Sequence, residues 1–312
     1  FRYFKYDMAK QGKRQIGSTI KPLLYTFAID HLGYSPCTPV ANLPVTIDAG
    51  GSVWSPKESG NVVYDGAMHP LKWGLAKSRN NYSAWIMKEA KQPRAVAEFI
   101  HNIGVKSYIA PVPSLALGSS ESNVYEMVST YSTFANKGVY TEPIFVTRIE
   151  DRHGNVIANF TPNSQDQISA ETAYTMLQML KNVVYEGTAI RLTWAYGMYR
   201  MDIGGKTGTS QRGRDAWFIG VLPKLVAGAW VGGEDQYIHP RSRGEGSVMA
   251  LPIVAEFFNA VFKDKTLGVT KQDKFEKPFG MEDFNCDEPT AKTTESEERE
   301  VKKEEEIELD FF

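Results

Sequence analysis

Apolar positions along this chain recur at two periods, and the changes between them mark out its elements. Leu23, Leu24, Phe27, Ala28 and Leu32 fall on one face at helical spacing, and Gly33 stands where such a helix stops. Gly17 ahead of them permits a tight turn, and Pro22 sits in the first helical turn, where a missing N–H costs least. Trp73, Leu75 and Ala76, then Ala84, Trp85 and Met87, flank the polar run Lys77-Ser-Arg-Asn-Asn81 and predict two helices joined by a turn. Met201-Asp-Ile-Gly-Gly205 leads into Lys206. Beyond it Ala216–Leu222 and Leu225–Val231 are apolar runs parted by Pro223-Lys224, the pattern of two adjacent antiparallel strands. Ile144 to Phe160 reads as a hairpin around Arg152-His-Gly-Asn155. Ser169 to Tyr185 reads as an amphipathic helix with a serine N-cap, and Pro252 to Phe262 as a C-terminal helix.

These elements predict an α/β (α+β) architecture. A central, mainly antiparallel sheet containing the 216–231 hairpin packs against the Leu23–Leu32 helix and the C-terminal helix. A mostly helical lobe, residues 70–135, faces it, and the cleft between them is the expected site. A chain of 312 residues buries a full core, with room for one large domain or two small ones. The net charge of −2 indicates no polyanion partner, so nucleic acid is not expected. Five scattered histidines and two cysteines, Cys37 and Cys286, provide no metal spacing and no disulfide framework; their separation leaves pairing open. No apolar run is long enough to span a bilayer. Past residue 288 the composition changes: Thr293 to Glu306 has almost nothing to bury, so residues 289–312 are expected to be a disordered acidic tail. Phe311-Phe312 is that tail's one hint of docking.

Three short polar motifs change the picture from a fold to a chemistry. Ser18-Thr-Ile-Lys21 puts a serine at a helix start, where a backbone N–H is free and negative charge is favoured, with a lysine three residues on along the same face. An amine within reach of a hydroxyl can take its proton if burial or a second cation lowers its pKa. Ser78-Arg-Asn80 lies in the turn between the two helices. Ser78 suits a proton relay, and Asn80 carries both a donor and an acceptor for a substrate amide. Ser59-Gly-Asn61 has the same spacing but lies in the loop-forming stretch Ser55–Asn61, without the apolar bracing around Ser78. Lys206-Thr-Gly-Thr-Ser210 opens a strand. Gly208 lets a substrate approach the backbone, the Thr209 N–H is placed to meet a developing oxyanion, and Lys206, Thr207 and Thr209 offer a cation and two hydroxyls to a carboxylate.

The motifs and the text around them resemble the transpeptidase domain of class A, bifunctional penicillin-binding proteins. The resemblance is carried by Arg14-Gln-Ile-Gly-Ser-Thr-Ile-Lys-Pro22, Pro113-Ser-Leu-Ala-Leu-Gly-Ser119, Phe134-Ala-Asn-Lys-Gly138, Glu186-Gly-Thr188 and Arg214-Asp-Ala-Trp-Phe218, and covers residues 1–288. It implies a serine β-lactamase/D,D-transpeptidase-like fold and a serine-type transpeptidase. Ser18 would be the acylated nucleophile, Lys21 the base, and Ser78 and Asn80 the second motif. Lys206, Thr207, Gly208 and Thr209 would form the third, and the Ser18 and Thr209 N–H groups the oxyanion hole. Ile16 stands where the family often has proline, a tight-turn detail. The implied substrates are a peptidoglycan stem pentapeptide as donor and an amine of a neighbouring stem as acceptor, with β-lactams acylating the same serine and no cofactor or metal required. The implied setting is the periplasmic, extracytoplasmic face of the bacterial inner membrane, among other cell-wall synthesis proteins, with an anchor and a glycosyltransferase domain expected upstream. Two alternatives stay open: a carboxypeptidase or β-lactamase hydrolase on the same chassis, and a β-lactam sensor that acylates without turnover. Arg79 stands where a class A β-lactamase would carry aspartate.

Overall fold

The turn at Pro223-Lys224 closes the predicted hairpin: Asp215–Leu222 runs antiparallel to Leu225–Gly232, with Leu222 opposite Leu225. Gly204–Thr209 pairs with the other side of Asp215–Leu222, Lys206 opposite Ile219 and Thr209 opposite Ala216. In this computed structural model, which describes residues 5–48, 51–60, 62–235, 237–240, 244–284 and 286, these three strands form the largest sheet. Every residue of the middle strand is buried, which is why its sequence after Asp215 is continuously apolar rather than alternating. One face is covered by Leu251–Lys263, where a Cβ on Gly220 would lie 2.8 Å from the Phe258 ring. The other is covered by Val124–Ala135, where a Cβ on Gly228 would lie 2.6 Å from Val128.

The helix predicted from Leu23 to Leu32 spans Lys21–Leu32, follows a 3-10 turn at Gly17–Ile20 and stops at Gly33, which is left-handed at φ 69. Lys21 to Ala28 are all buried, so the first two turns of this helix are enclosed on every side rather than along the one apolar face its spacing suggests, and only the last turn reaches the surface. Leu71–Ala76 and Asn80–Ala90 form the predicted helix pair, and they pack on it together with Pro93–Asn102. Ala170–Tyr185 is capped as expected, the Ser169 hydroxyl accepting from the Thr172 N–H at 3.0 Å, and it lies along Gly204–Thr209. The predicted hairpin is Arg148–Glu150 with Val156–Asn159.

The fold corrects two sequence expectations and decides a question the sequence left open. The facing lobe ends earlier than residue 135, because Val124–Ala135 packs on the sheet: its Tyr131 hydroxyl donates to the Thr19 carbonyl at 2.6 Å. Gly246–Lys263 is an 18-residue helical stretch long and apolar enough to cross a membrane, where no such run was expected. Its apolarity serves the core here, since Leu251, Val254, Ala255, Phe258 and Val261 are buried under the sheet. Finally, Cys37 and Cys286 form a disulfide across 249 positions. The 289–312 segment lies outside the described residues.

Candidate active site

Ser18 lies in the Gly17–Ile20 turn, pressed from two sides. Gly17 is left-handed at φ 51, and a Cβ there would stand 2.7 Å from the Thr209 carbonyl oxygen. Behind it, a Cβ on Gly118 would stand 2.0 Å from the Gly17 carbonyl oxygen, while the Gly17 N–H donates to the Gly118 carbonyl at 3.1 Å. The Pro113–Leu117 turn therefore holds the Ser18 turn against the Lys206 strand. Gly208 has a packing role besides the one its motif suggests. A Cβ on it would meet Thr19 Cγ2 at 2.8 Å and the Ile16 carbonyl at 2.9 Å, so the missing side chain also lets the Ser18 turn approach this strand.

Lys21 and Lys206 are among the largest fully buried side chains, both without solvent exposure. They converge on Ser78. Lys21 Nζ donates to the Ser78 carbonyl at 2.6 Å, to Asn80 Oδ1 at 2.7 Å and, more weakly, to Ser78 Oγ at 3.5 Å. Lys206 Nζ donates to Ser78 Oγ at 2.8 Å and to the Thr207 carbonyl at 3.0 Å. Ser78 itself is left-handed at φ 55, a region costly for a residue with a side chain, and it is held there by helices on both sides. The rival Ser59 is exposed, one position past Glu58, and Asn61 lies outside the described residues.

Burial lowers the Lys21 pKa to about 7; Glu58 opposes the shift and Arg79 adds to it. Burial, and then the charge of Lys21, push Lys206 well below the ordinary lysine value. At a value near 7, Lys21 is about half neutral at pH 7, against roughly one part in three thousand for an ordinary lysine. A neutral Lys21 keeps two N–H bonds for the Ser78 carbonyl and Asn80 Oδ1, and has a lone pair free to take a proton. Among the described residues no hydrogen bond joins it to Ser18, whose side chain is partly exposed. The hydroxyls of the strand are also engaged: Thr207 Oγ1 lies 2.7 Å from Thr188 Oγ1, and Thr209 Oγ1 accepts from the Gly246 N–H at 3.2 Å, leaving its own O–H to donate.

Sequence reasoning missed Gly118, Thr188 and Glu58. The first two lie in stretches that carry the family resemblance, so a signal existed. Glu58 lies in the loop set aside as ordinary, yet its carboxylate accepts from the Asn80 N–H at 3.0 Å and the Asn81 N–H at 2.7 Å.

The family model for the penicillin binding protein transpeptidase domain matches residues 5–233. Penicillin-binding protein 1A of Neisseria meningitidis is 32% identical over 272 residues, 83% of this chain and 33% of that protein. The crystal structure of penicillin-binding protein 1A from Haemophilus influenzae superposes with a TM-score of 0.77 at 25% identity, over 88% of this chain and 45% of that one. The penicillin-binding protein PonA1 of Mycobacterium tuberculosis shares the fold, with a TM-score of 0.71 over 88% of this chain and 73% of that one. The chain thus spans about a third of the length of its Neisseria relative. A partly exposed serine wedged against a Lys-Thr-Gly strand, with two buried lysines meeting at a second serine, is the arrangement these matches enclose, and the chain belongs to the penicillin-binding protein transpeptidase domain family.

Proposed function

We propose that this domain is a D,D-transpeptidase that cross-links peptidoglycan stem peptides through an acyl-enzyme on Ser18. The observation that carries the reading is the convergence of Lys21 and Lys206 on Ser78 Oγ, with Lys21 near neutrality at physiological pH. Ser18 Oγ gives its proton to neutral Lys21 and bonds to the penultimate D-alanine carbonyl carbon. The oxygen of the tetrahedral intermediate takes its negative charge between the Ser18 and Thr209 N–H groups. Lys206, Thr207 and Thr209 hold the terminal carboxylate, and Asn80 orients the stem amide. The C–N bond breaks as the proton on Lys21 passes through Ser78 Oγ to the leaving amine, and D-alanine departs. An acceptor amine then attacks the ester, gives up a proton along the same path, and Ser18 is released with its proton restored. A β-lactam follows the first half only, its cleaved ring remaining attached.

The Cys37–Cys286 disulfide suits an oxidising compartment and supports an extracytoplasmic setting, on the periplasmic face of the membrane. Two measurements test the proposal. Labelling with a fluorescent penicillin followed by peptide mass spectrometry should place the adduct on Ser18 and fail in Ser18→Ala; an adduct on another serine refutes the assignment. A donor pentapeptide with an acceptor amine should yield the cross-linked amide; free acid alone would identify a hydrolase, and an acyl-enzyme that never turns over would identify a sensor.

A further inference from the structure

The stretch Ser55–Asn61 reads from sequence as an ordinary loop, yet its Glu58 is a carboxylate whose side chain is only 7% exposed. Glu58 uses both oxygens on one helix end: Oε2 accepts from the Asn80 N–H at 3.0 Å and Oε1 from the Asn81 N–H at 2.7 Å. These are two of the orphan donors at the start of the 11-residue helix Asn80–Ala90, which has no side-chain cap from its own N-cap residue, Arg79. The neighbouring Lys57 carbonyl accepts from Asn80 Nδ2 at 2.6 Å. Asn80 is thus held at its backbone and at its amide nitrogen, and the remaining atom of that side chain, Oδ1, accepts from Lys21 Nζ at 2.7 Å. The loop reaches the Lys21 amine through one residue.

We propose that Glu58 is a positioning residue for the acylation of Ser18, clamping Asn80 so that it holds Lys21 in register with Ser78. The inference rests on the transpeptidase reading above and adds a residue to it. The clamp also carries charge. Two basic groups face Glu58: Lys21 from the first helix, whose proton its charge favours, and Arg79 from the turn, whose Nε is 3.9 Å from Glu58 Oε2; Lys206 from the strand meets Lys21 at Ser78. Tyr25 and Tyr64 complete its titratable surroundings; burial raises both phenols, so they stay neutral at working pH. A negative charge facing an ammonium favours the protonated form, so removing it makes Lys21 release its proton more readily. A carboxylate that serves only as a helix cap has no such effect on the reaction's pH dependence.

Three variants of the full chain separate geometry from charge, read as the second-order rate of acylation by a fluorescent penicillin from pH 5 to 9, with the melting temperature of each. Glu58→Gln keeps the shape, one acceptor and loses the charge; its acid limb should move to lower pH by about half a unit or more. Glu58→Asp keeps the charge but is too short to reach both N–H groups; its limb should stay where the wild type has it while its plateau falls. Glu58→Ala loses both, and a clamp displaced by an ångström should cost about 10–100-fold in plateau rate. A Glu58→Gln limb that coincides with the wild type, or moves upward, overturns the proposal, as does a Glu58→Ala plateau equal to wild type. A plateau loss matched by a falling melting temperature with no limb shift in Glu58→Gln assigns the residue to folding alone and also overturns it. Failure of the wild type to acylate at any pH would instead refute the transpeptidase reading, so the two failures are distinct.

Discussion

Acylation should switch off with a midpoint near pH 7, because a protonated Lys21 has no lone pair with which to take the hydroxyl proton of Ser18. The perturbation is pH alone. With a folded-state value of about 7, the neutral fraction of Lys21 is about 0.9 at pH 8, about 0.1 at pH 6 and about 0.01 at pH 5. The rate constant for acylation should therefore fall about ninetyfold from pH 8 to pH 5, with a slope approaching tenfold per unit. Lys206 shares the Ser78 hydroxyl, so the observed midpoint belongs to the lysine pair rather than to one amine. The assay is stopped-flow acylation by a penicillin, whose own carboxylate stays ionised throughout the range, in buffers of constant ionic strength. Melting temperatures at each pH establish that the domain remains folded. A flat profile from pH 5 to 8 refutes the reasoning, since Lys21 would then not be the group whose neutral form is required. A limb above pH 9 refutes it too, since the lysine would then be ordinary.

Three further outcomes are expected. Ser78→Ala should slow acylation by about 10²–10⁴ while leaving the melting temperature near wild type, and Ser59→Ala should change neither; the reverse pattern, in acylation rates on both purified variants, would show the wrong loop has been placed in the cleft. Gly118→Ala forces a methyl into the Gly17 carbonyl and puts a side chain at φ 73, so it should lose about 1–3 kcal/mol of stability in denaturant titration and most of the acylation rate; wild-type behaviour in both would refute the wedge. Cys37→Ser opens the 249-residue cross-link and should cost about 2–5 kcal/mol, with the same loss on reducing the wild type; an unchanged midpoint would mean the disulfide constrains nothing.

What was legible in the sequence was local. The start and stop of the first helix, the Ser169 cap, the hairpin at Pro223-Lys224 and the broken helix around Ser78 each announce themselves within a few residues. The three motifs were readable for the same reason, since each is a short run whose spacing fixes one face or one turn. What was hidden depends on how distant segments meet. Lys206 and Ser78 are 128 positions apart, and nothing local says that their side chains touch in a buried site. The packing role of Gly208 was hidden because only the folded chain shows the Ser18 turn lying against it. Glu58 was unreadable because a loop's polarity says nothing about which helix end it caps, and the cysteine pair because sequence separation does not limit where a chain returns.

The placement of the two lysines works against the stability of the fold, and the sign can be followed. Lys21 holds its proton up to about pH 10.5 when unfolded and up to about 7 when folded, so between those values the unfolded chain binds more protons and stability rises with pH. Below about pH 7 the full cost of burying Lys21 is present, about 5 kcal/mol. Lys206 acts in the same direction. A structural lysine would lie at the surface with its charge hydrated and cost nothing. Here the amines are enclosed, tied by short bonds to Ser78 and Asn80, and supported by a left-handed serine and by three glycines whose missing side chains let the Ser18 turn, the Pro113–Leu117 turn and the Lys206 strand touch. The arrangement that destabilises the folded chain at neutral pH is the same one that leaves a partly neutral amine beside Ser78, which is the state the proposed base would need.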